Sequence, residues 1–387
     1  MNNRFRRILA RTAWGLGGLL ALFGLTLALP VETWRTGQQF SEPLPVLAPS
    51  DLPAAPDRIW VDTDPACGEG ARVDPDDCLA IWHLIRKTDV AITGVSTVFG
   101  NAPLETADTT ARALVSRLQP QHDPVPIYRG AGASLTKMPN GETDAERALI
   151  GALYAEKLTI VALGPLTNIA AALQARPDLR DRVEQIIAVM GRRPGHIFHP
   201  AEGSGEGTLL GHGPVFRDFN VAQDPDAVRV ILEQDIPLIL LPYEAARKVE
   251  IDEQDLASIA SQGEGGRWVA DRTQPWLRYW QTDIGREGFY PFDLMAAMFV
   301  AEPARFACAE VNASLRRDPT LFFPFSRMPS LLIEPTATDK HDGPANVLYC
   351  HGLQDPPTQK FSSPLSISNN PERLTSEITN NHWRATI

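Results

Sequence analysis

From Arg58 onward, the chain alternates short apolar runs rich in β-branched residues with segments that carry apolar residues at helical spacing. Strands of a parallel sheet are buried on both faces and give such runs, whereas a covering helix is apolar on one side only. The alternation predicts an α/β fold, with a mostly parallel central sheet and helices on both faces. The predicted strands are residues 59–61, 92–98, 158–163, 186–190 and 238–241, and the predicted helices are residues 77–87, 107–118, 168–174 and 225–233.

Carboxylates crowd around the end of the first predicted strand. The sequence reads Asp62-Thr63-Asp64-Pro65 at that strand end, and Asp74-Pro75-Asp76-Asp77 opens the first predicted helix. Carboxylates this close repel one another unless a cation neutralises them, and hard divalent ions are held by several such oxygens. A single aspartate here would also serve as a turn residue or helix N-cap. The cluster as a whole predicts a metal site.

The order of strand, Asp-x-Asp-Pro and then Asp-Asp at a helix start resembles the opening signature of the inosine-uridine-preferring nucleoside hydrolases. Later segments are similar to that family in the same order: residues 94–101, which end in Asn101, then residues 125–131, 161–168, 190–191, 218–220 and 292–293. The resemblance runs from Arg58 to beyond Glu302. It implies a Rossmann-like open sheet and calcium-dependent hydrolysis of the N-glycosidic bond of ribonucleosides.

The same resemblance implies which residues hold the metal ion. Carried over position by position, the Ca²⁺ ligands would be Asp64, Asp77, the main-chain carbonyl of Leu163 and Asp293. All of these are hard oxygen donors, and a cation held by them lowers the pKa of a water near the sugar. Asp64 or its neighbour Asp76 would accept the proton of that water, and we favour Asp64 as the base.

Substrate contacts are also implied by the resemblance. Asp76 and Asn101 would bind the 2′-hydroxyl side of the ribose, while Asn220 and Asp293 would hold the 3′-hydroxyl. The surrounding anions would stabilise the positive charge that develops on the sugar as the N-glycosidic bond breaks. The remaining predicted substrate-binding residues are Met190, His212 and Asp218.

Two departures from the family pattern concern the metal loop and the 5′ end of the ribose. An insertion of about seven residues, 67–73, separates the two halves of the acidic signature. Asp218 stands where the family usually has Glu, and His212 stands where an Asn would help to hold the 5′-hydroxyl. We therefore expect the shape of the metal loop and the recognition of the 5′-hydroxyl to differ from those of the family.

A third departure concerns the leaving base. Phe292 occupies the place of a His that many family members use to protonate the departing base, and phenylalanine has no proton to donate. The base would instead be activated by stacking, for which Trp276, Trp280 and Tyr290 are near in sequence, or be protonated by solvent or His212. Because stacking favours the larger ring system, we expect a purine nucleoside as substrate.

The N-terminus has the layout of an export signal. Arg4, Arg6, Arg7 and Arg11 precede residues 13–29, which carry no charge. Cleaved signal and retained anchor both stay open, and we favour an anchor, on the periplasmic side of a bacterial inner membrane, over secretion. We divide the chain into this segment (1–36), a proline-rich linker (37–57), a nucleoside hydrolase-like domain (58–353) and a polar tail (354–387).

Charge and cysteines limit the partners and the redox compartment. The net charge of -11 disfavours a nucleic-acid backbone and favours a metal cation or a neutral nucleoside. An exported protein can form disulfides, and its four cysteines allow three pairings. One of these pairs Cys67 with Cys78 and Cys308 with Cys350, but the sequence does not select it. Buried free thiols are the alternative. The resemblance also implies a homo-oligomer, although the sequence identifies no interface.

Two other functions compete with nucleoside hydrolysis. A strand ending in Asp62-Thr63-Asp64 also resembles the nucleophile and acid pair of haloacid-dehalogenase-like phosphatases, which a phosphate-ester assay would test. The other alternative is a tethered protein that binds a ribosyl ligand or metal with little turnover, because Phe292 and the insertion depart from the enzyme pattern. Binding without release of base would support it.

Overall fold

The structure, a computed structural model, describes residues 17–18, 43–119, 124–138, 142–193, 218–319, 327–335 and 347–354. Most of the N-terminal segment, most of the polar tail and His212 lie outside these residues. Within them, no helix is both long and apolar enough to cross a bilayer. The export segment, the proposed role of His212 and the domain division therefore stay predictions.

One sheet organises the described residues, and its strands follow the spatial order β3-β2-β1-β4-β5-β6-β9-β7-β8. The strands from β3 to β9 in this order are parallel, and β7 runs antiparallel to both β9 and β8. The predicted mostly parallel sheet is confirmed. The strands are β1 (Arg58–Thr63), β2 (Ala91–Thr97), β3 (Ile127–Arg129), β4 (Leu158–Ala162), β5 (Val183–Ala188), β6 (Leu238–Leu240), β7 (Phe306–Pro319), β8 (Arg327–Pro335) and β9 (Val347–Leu353).

Helices cover both faces of this sheet. Successive side chains of a strand point to opposite faces, so Ile59 and Val61 join one buried cluster and Trp60 joins the other. The α-helices of the described segments are α1 (Asp76–Lys87), α2 (Leu104–Leu118), α3 (Asp144–Ala155), α4 (Thr167–Ala175), α5 (Phe219–Gln223), α6 (Pro225–Leu232), α7 (Tyr243–Ala246), α8 (Glu253–Ala260), α9 (Glu264–Tyr279) and α10 (Phe292–Ala301). Leucines of α1, α2 and α10 pack in the first cluster, and those of α3 and α4 in the second.

The strand order reverses at β1, which lies between β2 and β4. The chain leaves β1 towards one edge of the sheet through β2 and β3, then returns to the other side of β1 at β4. Such a reversal opens a crevice beyond the carboxyl ends of the two strands, where open α/β sheets bind their ligands. Asp64 follows β1 directly and Leu163 follows β4 directly, so the fold brings these two predicted site residues to the crevice.

Two disulfides join the four cysteines in the pairing that the sequence left open. Cys308 and Cys350 face each other across the antiparallel strands β7 and β9. Cys67 is bonded to Cys78, which lies in the first turn of α1. The insertion at residues 67–73 is therefore covalently attached to the helix that carries Asp76 and Asp77.

Candidate active site

Three carboxylates meet where two helices begin. Asp76 and Asp77 lie in the first turn of α1, Asp293 lies in the first turn of α10, and one oxygen of each lies within 4.8 Å of the others. The main-chain N–H of Asp293 donates a hydrogen bond to Asp76 Oδ2 at 2.8 Å, which joins the two helix starts. The positive ends of both helix dipoles point to these negative groups and stabilise them.

Asp64 lies beside this cluster at the end of β1. Its Oδ2 accepts a hydrogen bond from the main-chain N–H of Asn101 at 2.6 Å, and its own N–H donates to Asp77 Oδ1 at 3.1 Å. Glycines make room for the carboxylate: a Cβ at Gly100 would lie 1.9 Å from Asp64 Oδ2, and one at Gly164 would lie 2.7 Å from Oδ1. Any side chain at either glycine would displace Asp64.

Burial raises the pKa of every carboxyl group in this cluster. For Asp64 and Asp293 the removal of water and the repulsion of neighbouring aspartates raise the pKa well above its usual range, and burial also raises that of Asp76. The pKa of Asp77 rises to about 6, chiefly through burial and the charge of Asp76. So many buried acids cannot all be ionised without a counter-charge. The donor set, hard oxygens crowded together, fits a hard divalent cation.

A carbonyl and an amide complete the floor of the site. The Leu163 carbonyl accepts a hydrogen bond from Asn220 Nδ2 at 2.7 Å, and the same nitrogen donates to the Val189 carbonyl at 3.0 Å. These two bonds fix the orientation of the Asn220 amide. A carbonyl oxygen has two lone pairs, so that of Leu163 keeps the capacity to bind a second group.

The crevice contains a cavity of about 270 Å³. Every predicted site residue that the structure describes lines it, so residues from distant parts of the sequence converge on one pocket. Their roles stay predictions, since position alone does not show what each residue binds. These lining residues are Asp64, Asp76, Asp77, Asn101, Leu163, Met190, Asp218, Asn220 and Asp293.

The predicted 5′ end is built around Asp218. Its Oδ2 accepts a hydrogen bond from the main-chain N–H of Gly191 at 2.8 Å, and burial raises its pKa to about 6. Gly191 has a φ of +90°, which side chains disfavour, so glycine is required where the chain presents this N–H. Arg192 also lines the pocket here. The main chain therefore holds the carboxylate of Asp218 in place.

An aromatic wall closes another side of the pocket, and its composition corrects the prediction. Trp276 lines the cavity as expected, but Trp280 and Tyr290 do not; they are buried at 0% and 2% exposure in the core behind it. Sequence proximity did not show which aromatic rings face the crevice. Tyr243, which follows β6, lines the pocket instead, and its ring centroid lies 6.3 Å from that of Phe292.

Sequence reasoning gave no separate role to two residues that line the cavity. Asp74 was predicted only as a member of the acidic cluster, and Arg72 was not predicted. The main-chain carbonyl of Asp74 accepts a hydrogen bond from Asn101 Nδ2 at 2.6 Å, which holds the end of the insertion against the pocket. The signal was the insertion itself: extra residues between two halves of a site signature lie close to the site.

Comparisons with known proteins agree with this geometry. The model of the family described as inosine-uridine preferring nucleoside hydrolase matches residues 59–353. Uridine nucleosidase 1 of Arabidopsis thaliana is 22% identical over 277 residues, which are 65% of this chain and 75% of that protein. A non-specific ribonucleoside hydrolase of Shigella sonnei is 23% identical over 273 residues, or 64% of this chain and 80% of that protein. A solved plant nucleoside hydrolase superposes with a TM-score of 0.60 at 19% identity, covering 77% of this chain and 95% of that one.

Proposed function

Because the chain belongs to the inosine-uridine preferring nucleoside hydrolase family, and is thus an N-glycosyl hydrolase, we propose that it cleaves ribonucleosides into base and ribose with the help of Ca²⁺. The observation that carries this proposal is the convergence of Asp76, Asp77 and Asp293 within 4.8 Å, in a pocket that Asp64 and the Leu163 carbonyl also line. The match to this family favours nucleoside hydrolysis over the phosphatase alternative.

The residues present fit a calcium ion. Asp76, Asp77 and Asp293 would hold it, with Asp64 and the Leu163 carbonyl as further oxygen donors, and Ca²⁺ takes six to eight such ligands. The set differs from the sequence prediction in that Asp76, rather than Asp64, belongs to the tight group of three. When bound, the cation would supply charge neutralisation and lower the pKa of a nearby water.

The side chains of the pocket supply the rest of the chemistry. Asp64 accepts the proton of the attacking water, and the N–H of Asn101 holds its carboxylate in place. The ribose hydroxyls bind to Asp76 and Asn101 on one side and to Asn220 and Asp293 on the other. The C1′–N bond then breaks towards a positively charged sugar, which the fixed carboxylates stabilise more than they stabilise the neutral substrate.

The nucleobase occupies the aromatic side of the pocket. Trp276 and Tyr243 would stack on it, and Phe292 lines the same side of the pocket. We propose a purine nucleoside as the preferred substrate, because a two-ring base covers more of such a wall. Uridine cleaved much faster than inosine would contradict this preference.

The first test is release of free base from a panel of ribonucleosides by the full chain, with Ca²⁺, with chelator and with Asp64→Ala. We expect calcium-dependent release, and a loss of roughly 10³-fold or more in kcat for the variant, because it lacks the base. The exposed Asp271→Ala serves as a matched control. No release from any nucleoside while calcium still binds would favour the ligand-binding alternative.

We also propose export, with the domain held outside the cytoplasm by its N-terminal segment. Support comes from the arginines before residues 13–29 and from the two disulfides, which persist in oxidising compartments. Protease accessibility of the domain in intact spheroplasts would test it. A homo-oligomer is a further proposal, which rests on the family alone and which sedimentation would test.

A further inference from the structure

The insertion at residues 67–73 places an arginine at the mouth of the pocket. Arg72 lines the same cavity as Trp276 and Phe292, and its side chain is 71% exposed. Its Nη2 lies 3.0 Å from Asp283 Oδ1, and its guanidinium carbon lies 5.2 Å from the centre of the Tyr279 ring. The Tyr279 ring in turn lies 5.4 Å from the ring of Trp276. The guanidinium of Arg72 therefore lies beside the aromatic wall of the pocket.

The backbone of the insertion is held at several points. The disulfide joins its first residue, Cys67, to the first turn of α1, and the N–H of Val73 donates to the carbonyl of Gly70 at 3.4 Å. Directly after the insertion, the carbonyl of Asp74 accepts the hydrogen bond from Asn101. Arg72 thus extends from a loop attached to the fold at both ends.

The reaction needs a group at this position. When the C1′–N bond breaks, its electron pair moves to the base nitrogen, and Phe292 has no proton to give. Two arginines line the described part of the pocket. Arg192 follows Gly191 and so lies beside Asp218, whereas Arg72 lies beside the rings proposed to hold the base. A guanidinium offers five N–H donors and stays charged, and charge-assisted hydrogen bonds are about twice as strong as neutral ones.

We propose that Arg72 contacts the nucleobase and stabilises the negative charge that develops on it as it departs, an inference that rests on the proposed hydrolysis. The water oxygen bonds to C1′, the water proton goes to Asp64, and the electron pair of the C1′–N bond leaves with the base. The base anion pairs with the Arg72 guanidinium and then takes a proton from solvent at the open mouth. Arg72 acts through its charge and its N–H donors and transfers no proton.

The test compares two leaving groups on the full chain. Inosine has a base that leaves poorly without stabilisation, whereas 4-nitrophenyl ribofuranoside has a leaving group that departs as a stable anion. For Arg72→Ala we expect kcat/KM for inosine to fall about 10²-fold, as when one charge-stabilising donor is removed from an active site. For the nitrophenyl riboside we expect a fall of less than about threefold. Arg72→Lys, which keeps a charge, should restore part of the activity on inosine.

Controls separate this inference from the proposed function. Arg278→Ala removes another exposed arginine, which does not line the pocket, and should change neither rate. If Arg72→Ala slows both substrates equally, or slows neither, the inference is wrong while the hydrolase function stands. If the unaltered protein releases base from no ribonucleoside with calcium present, the proposed function is wrong, and the inference fails with it.

Discussion

At the scale of single residues, Asp62 shows how the site is supported from behind. Its Oδ1 accepts hydrogen bonds from Ser96 Oγ and, at 2.8 Å, from Asn168 Nδ2. Its Oδ2 is buried and accepts none among the residues that the structure describes. Burial raises its pKa to about 7 in spite of the two hydrogen bonds. The side chain therefore holds a proton in the folded protein at a pH where it would be ionised in the unfolded chain.

We expect Asp62→Asn to change how stability depends on pH. The folded pKa of about 7 lies above the 3.8 of an unperturbed aspartate, so the contribution of Asp62 to stability is present below about pH 4 and is lost as pH rises through 7. Asparagine cannot ionise and avoids that loss. Relative to wild type, the variant should gain on the order of a few kcal/mol between about pH 5 and pH 8.

Urea unfolding in chelator at both pH values measures this difference. Asp271→Asn, at an exposed position, provides the control and should follow wild type at each pH. The prediction is wrong if the variant and wild type differ in free energy of unfolding by the same amount at the two pH values. Asp62 would then have the same protonation state in the folded and unfolded chain.

Whether a site residue could be predicted from the sequence depended on the chemistry of its side chain. The sequence placed three acids in one pocket, Asp64, Asp77 and Asp293. Crowded acids indicate a cation site, and the order of the family-like segments connected Asp293 to the other two. Aromatic residues are not informative in this way, because a ring packs equally well in a core or in a pocket wall. Trp280 was therefore misplaced and Tyr243 was missed, since what separates them is which side of an element faces the crevice.

At the scale of elements, the Cys67–Cys78 disulfide attaches the insertion to α1. We expect Cys67→Ala with Cys78→Ala to lower the free energy of unfolding by roughly 2–3 kcal/mol, because the bond closes a short loop and restricts the unfolded chain. We also expect the inosine rate to fall more than the nitrophenyl riboside rate, because the loop that positions Arg72 loses one attachment. Urea unfolding and the two rates measure both effects.

The second disulfide provides a matched control. Cys308→Ala with Cys350→Ala removes a bond between β7 and β9, and none of these four cysteines lines the pocket. This variant should lose stability but keep the wild-type ratio of the two rates. An unchanged ratio in the Cys67 and Cys78 variant would show that this disulfide does not position Arg72. A changed ratio in the control would show that the ratio of the two rates follows the loss of stability.

The prediction of elements was good where an apolar pattern was strong and poor where it was not. The five predicted strands and four predicted helices are all present, with ends that differ by a few residues. Strand β3 was missed because its three residues, Ile127–Arg129, are only half-buried and give no apolar run. Helix α9 was missed as well, because Gly265 and Gly266 lie in its first turn and Pro275 lies inside it, and glycine and proline are poor helix formers.

At the scale of the whole molecule, the sheet order and the acidic cluster act together. The fold brings strand ends and two helix starts to one crevice, and in doing so it buries carboxylates whose repulsion favours binding of a cation. We therefore expect Ca²⁺ to stabilise the folded protein, by about 2.7 kcal/mol at a free concentration one hundred times Kd. Chelator should lower Tm accordingly, and Asp77→Asn should remove most of this response.

Calcium binding should also release protons, with a sign that follows from the raised pKa values. Without metal, burial raises the pKa of Asp77 to about 6 and raises those of Asp64 and Asp293 well above their usual range, so the site takes up protons as the pH falls towards 6. A bound calcium ion would pair with the ionised carboxylates in place of these protons, so its affinity should rise as pH rises from about 5 to 7. Titration calorimetry in two buffers of different ionisation enthalpy counts the protons released at each pH. An affinity that is constant over this range, or higher at the lower pH, would mean that the buried acids are already ionised before calcium arrives.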